Sequence, residues 1–85
     1  MSAVFKAACC QVTAGRELLP NIDKAMALGR QARAQGASFI AFPENVTMIE
    51  PVGADAIKKA LPEAEHPAVP AFRDLARETG AWVLA

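Results

Sequence analysis

The chain has 85 residues, a length at which folding buries only roughly 60–65% of the surface exposed by the unfolded chain, so its stability alone is expected to be marginal. Hydrophobic residues make up 53% and charged residues 21%, which excludes disorder through low hydrophobicity. Nine basic and nine acidic side chains cancel, no cationic run marks a nucleic-acid or anionic-membrane binder, and no apolar stretch approaches a membrane span.

Met1 to Lys6 lacks a basic head followed by a long apolar region, so a cytoplasmic address is expected. From Val4 to Val12 the run VFKAACCQV is nearly continuous apolar sequence after Lys6, which predicts a first strand covered on both faces. Cys9 and Cys10 are adjacent within it, which rules out a disulfide framework or a C-x-x-C metal spacing and reads as small core residues. Thr13 to Leu19 is a loop; Thr-Ala-Gly-Arg at 13–16 lacks the spacing of a dinucleotide fingerprint, and Arg16 reads as a solvated loop side chain.

A helix is expected to begin near Pro20 or Asn21, because proline fits a first turn whose N–H groups are unpaired anyway. Ile22, Ala25, Met26, Gly29, Ala32 and Arg33 share one side at helical spacing, with Asp23 in the first turn, Arg30 and Arg33 near the end, and Gly36 as the stop. Ala37 to Phe42 predicts a second strand ending at Pro43, whose ring drives the preceding residue toward extended geometry. Residues 46–66 read as an irregular excursion holding a short helix through Asp55, Ile57, Lys58 and Leu61 that Pro62 ends.

Pro67 opens the next helix, Val69, Phe72, Leu75, Ala76 and Thr79 form its apolar side, and Gly80 closes it before a third strand, Ala81 to Ala85. His66, alone beside Pro67, reads as a cap or surface residue. Trp82, Phe5, Phe39, Phe42 and Phe72 read as core side chains rather than base-stacking platforms. The order strand, helix, strand, helix, strand predicts an α/β fold with a parallel sheet. Its last apolar strand has no turn, cap or polar tail, so residues 1–85 are expected to be the N-terminal part of one larger domain, truncated at strand three.

Glu44 follows the carboxyl end of the second strand, where ligand crevices of open parallel sheets lie, and Pro43 stiffens the backbone before it. Position alone does not separate a general base from a solvated or N-capping loop glutamate. The stretches FKAACCQVTAG, NIDKAMALGRQARAQGASFIAFPEN and AFRDLARETGAWVLA resemble the opening of a nitrilase-superfamily carbon–nitrogen hydrolase, most specifically at Phe42-Pro43-Glu44-Asn45. Such a resemblance implies an alpha-beta-beta-alpha sandwich, of which only the first beta-alpha-beta-alpha-beta part is present here. It also implies a Glu-Lys-Cys triad acting on an amide or nitrile through a thioester, without metal or organic cofactor, and it places the general base at Glu44.

The family's lysine and cysteine follow the third strand, so Lys24, Lys58 and Lys59 do not match the first, and Cys9 and Cys10 do not match the second. The resemblance therefore implies a fragment inactive alone, a small-molecule amide or nitrile as the complete enzyme's partner, and homo-oligomers as a common state; no residue here defines such an interface. The competing reading is a small non-enzymatic alpha/beta interaction module whose third strand pairs with a partner chain.

Overall fold

The computed structural model describes residues 4–85; the first three residues of the stretch read above for a leader lie outside them. Three parallel strands, β1 (Ala7–Cys9), β2 (Phe39–Ala41) and β3 (Trp82–Leu84), lie in the order β1-β2-β3, with Ala8, Ile40 and Val83 aligned across the sheet. Helix α1 (Leu18–Ala34) joins the first pair; α2 (Gly53–Lys59), a 3-10 turn (Glu63–Glu65) and α3 (Ala68–Thr79) lie between the second. This is the expected α/β order, compatible with the first part of a carbon–nitrogen hydrolase sandwich.

The strands are shorter than their apolar runs, three residues each, although single bonds extend the ladder: Cys10 N–H donates to Ala41 O (2.8 Å) and Phe42 N–H to Leu84 O (2.8 Å). Both long helices pack on one side of the sheet, touching each other as well as β2 and β3. Ile40, completely buried, is the centre of that side, and Ala8 and Val83 flank it. No helix among the described residues covers the opposite side. Alternation along each strand sends Ala7, Cys9, Trp82 and Leu84 there, and all four are exposed. Two-sided cover of the first strand is therefore corrected, and with it the core placement of Cys9, Trp82 and Phe5, the last two being 76% and 71% exposed. An apolar run states that both faces are oily, not that both are covered by the same 85 residues.

Helix α1 begins two residues before the expected start, with Glu17 as its N-cap and Pro20 still inside the first turn, where no N–H is required. The earlier start moves Asp23 into the second turn. Its buried face holds Ile22, Ala25, Met26, Gly29 and Ala32 as expected, but Asn21 joins them and Arg33 does not. Arg33 turns outward and donates to Ala37 O (3.1 Å), helping to close the helix end, where Gly36 adopts φ 95°. Helix α3 ends on Gly80 at φ 68°, the left-handed cap that glycine adopts without a Cβ clash.

Leu75, 1% exposed, and Ala68 bury the inner side of α3, while Thr79 satisfies itself by donating to Leu75 O (2.7 Å) and accepting from Ala81 N–H (3.2 Å). The short helix in the excursion stops at Lys59, leaving Leu61 outside it, because the backbone is already extended at Ala60, ahead of Pro62. None of its residues is buried, and Asp55 and Lys59 tie it to the β1–α1 loop through ion pairs with Arg16 and Glu17.

Candidate active site

Glu44 stands where the sequence predicts, beyond the carboxyl end of β2. Phe42 is anchored by its ladder bond to Leu84 and by its buried ring, which meets Phe72 edge-on at 5.2 Å between centroids. Pro43 follows, and the Glu44 side chain emerges exposed. Asn45 then takes φ 58°, a left-handed conformation asparagine tolerates, and Met48 N–H donates to Asn45 O (3.2 Å). The glutamate thus sits at the entrance to a tight turn rather than on a long free loop.

A cleft of about 1080 Å3 opens beside it, outside the ends of β2 and β3. Phe42, Val69 and Phe72 supply an apolar wall, and Glu44, Glu63 and His66 supply ionisable or polar groups. His66 stands just before the Pro67 N-cap of α3, its Nδ1 accepting from Ala68 N–H (3.2 Å), and it also faces the cleft. Among the described residues, no lysine, arginine or cysteine lines this space. Lys24 and Lys58 are exposed on helices α1 and α2, Cys9 lies on β1, and Cys10 is buried with its thiol pKa raised by burial and, secondarily, by Cys9.

The chain brings Arg16 and Lys59 together elsewhere, around Glu50. Arg16 Nε donates to both Glu50 oxygens (3.0 and 2.9 Å), its Nη2 reaches Asp55 (3.3 Å), and Lys59 Nζ donates to Glu50 Oε2 (2.7 Å) and Arg16 O (2.9 Å). The Arg16 hydrogen bond first, and that of Lys59 second, hold the Glu50 carboxyl at about 2, well below its usual 4.5. Arg16 is the exposed loop side chain expected, 54% accessible, but it is ion-paired as well, and so fastens the β1–α1 loop to the excursion. Neither this cluster nor the burial of Asn21 follows from the sequence reading. A signal for Asn21 exists: it lies on the apolar stripe of α1, four residues before Ala25, and a buried carboxamide must find partners.

A family description for carbon–nitrogen hydrolases matches residues 6–85, nearly the full chain. The chain belongs to the carbon–nitrogen hydrolase family. No curated protein and no solved structure matches it. Among the described residues of this carbon–nitrogen hydrolase chain, no three His, Cys, Asp or Glu side chains form a metal-sized cluster, and no helix is long and apolar enough to cross a membrane.

Proposed function

We propose that Glu44 is the general base of an amide- or nitrile-hydrolysing site completed by a lysine and a cysteine from segments that follow the third strand in this family. The observation that carries this reading is the exposed Glu44 carboxylate at the mouth of the cleft, held between Pro43 and the Asn45 turn. For an amide, Glu44 takes the thiol proton as sulfur attacks the carbonyl carbon, then delivers a proton to the departing nitrogen, leaving a thioester and ammonia. It next takes a proton from water as water attacks the thioester, and the thiolate leaves and is reprotonated. The lysine ammonium stabilises the oxyanion at both stages.

The site operates in a cell compartment that keeps thiols reduced, the cytoplasm being the expected one. The test joins residues 1–85 in one polypeptide to the remaining segments of a carbon–nitrogen hydrolase. Glu44→Gln keeps size and most hydrogen bonding but accepts no proton, so kcat falls about 100-fold or more with little change in thermal midpoint. Unchanged turnover in the folded Gln variant refutes the assignment. Residues 1–85 alone, with no nucleophile at Glu44, release no ammonia above background.

A second reading, an interaction module, draws on β3 as an edge strand with Trp82 and Leu84 exposed. It requires residues 1–85 to associate with a partner in a cooperative, folded state, which sedimentation and thermal melting test.

A further inference from the structure

We infer that Asn21 is a positioning residue for Glu44, acting through the turn that follows it; the inference rests on the general-base reading of Glu44. Asn21 is 3% exposed, and its carboxamide uses both its acceptor and its donors. Oδ1 accepts from Gly15 N–H (2.8 Å), while Nδ2 donates to Gly15 O (2.7 Å) and to Thr47 O (2.9 Å). Gly15 O accepts a second bond, from Ile49 N–H (2.9 Å), filling the two lone pairs a carbonyl offers. No buried side-chain nitrogen or oxygen among the described residues lacks a partner.

Two bonds thus reach the segment after Glu44: one from Asn21 at the start of α1 to Thr47 O, the other from Ile49 N–H to Gly15 O in the β1–α1 loop, three and five residues past Glu44. Between Pro43 and these pins the chain has no strand or helix of its own, only the Asn45–Met48 turn and the buried Val46 side chain. The start of α1, fixed by burial of Ile22 and Ala25 in the core, therefore sets where that turn stands, and the turn sets where Glu44 points. A carboxamide is the group this task requires: it offers an acceptor and two donors in one plane, whereas aspartate would set a carboxylate against two carbonyl oxygens. Displacing a reacting group by about 1 Å costs on the order of 100-fold in rate, so the pin acts on kcat.

The experiment compares Asn21→Ala and Asn21→Asp with Leu75→Ala, which weakens the α1–α3 core without touching the network, all in the joined polypeptide. Both Asn21 variants are expected to lose about 10- to 100-fold in kcat per folded molecule with KM nearly unchanged, while Leu75→Ala keeps its kcat per folded molecule. Amide exchange at Ile49 and Gly15 is expected to accelerate at least about 10-fold in the Asn21 variants relative to the Phe42 amide. Equal kcat per folded molecule in Asn21→Ala and Leu75→Ala overturns the inference, as does unchanged exchange at Ile49. Where Asn21→Ala does not fold, Asn21→Asp, which keeps the acceptor and loses both donors, decides by the same two readouts. Full turnover in Glu44→Gln would instead remove the general-base reading, and exchange at Ile49 would still report whether Asn21 pins the turn.

Discussion

Gly29 is the point at which α1 and α3 approach most demandingly, and its replacement by alanine sets two opposed effects against each other. A Cβ there would meet Leu75 Cδ2 at 2.5 Å and Cδ1 at 3.2 Å. Leu75 is 1% exposed, so its methyl groups have no solvent-filled space into which to rotate. Alanine for glycine in a helix interior contributes about 1 kcal/mol through backbone entropy, and forcing a methyl into a packed core costs about 1–3 kcal/mol. Gly29→Ala is therefore expected to be neutral to destabilising, by up to about 2 kcal/mol. Removing the obstacle reverses the sign: in a Leu75→Ala background, itself destabilised by about 2–5 kcal/mol, Gly29→Ala contributes its full 1 kcal/mol or so. Urea unfolding of the four proteins, followed by circular dichroism, yields the coupling directly. Equal stabilisation by Gly29→Ala in both backgrounds would refute the close-packing argument.

Two other predictions concern ionisation and reactivity. Glu50 loses its proton near pH 2 in the folded chain and near 4.5 when unfolded, so between those values the unfolded state binds more protons and stability rises with pH, levelling off above. Thermal midpoints against pH should show this rise in wild type and a shallower one in Glu50→Gln; parallel curves would contradict the clamp. Cys9, exposed, should be alkylated well before Cys10, whose thiol is buried and raised in pKa, and peptide mapping of the folded protein that finds equal labelling would count against this burial pattern.

The helices were the most legible part of the sequence because period and punctuation agree. In α3, Leu75 and Thr79 recur four residues apart and Gly80 supplies the left-handed cap; in α1, Ile22, Ala25, Met26, Gly29 and Ala32 recur on one side ahead of Gly36. Strand ends were less legible, since apolar residues lie on both sides of the three-residue strand, Val4 and Phe5 before β1 and Cys10 and Val12 after it. The place of Glu44 just beyond β2 was legible because Pro43 marks the strand's end by a local steric effect, while the general-base role assigned to it rests on the family resemblance. The cluster at Glu50 was not, because its bonds join positions 34 and 43 residues apart in the Arg16–Glu50 and Lys59–Arg16 pairs, and no local pattern encodes which loop charges meet.

That contrast bears on how this chain holds its candidate base. Pro43 supplies one restraint that any reader of the sequence can see, but a single restraint leaves the carboxylate free to swing with the turn behind it. The second restraint comes from Asn21, and the third from Glu50, which fixes the far end of the same segment through Arg16 and Lys59. Arg16 lies next to Gly15, so both long-range restraints return to one short loop after β1. The β1–α1 loop is thus the abutment against which the Glu44 segment is held, although none of its own side chains lines the cleft. Changes in that loop are accordingly expected to act on the orientation of Glu44 before they act on the fold, because the sheet and the Gly29–Leu75 contact do not depend on them.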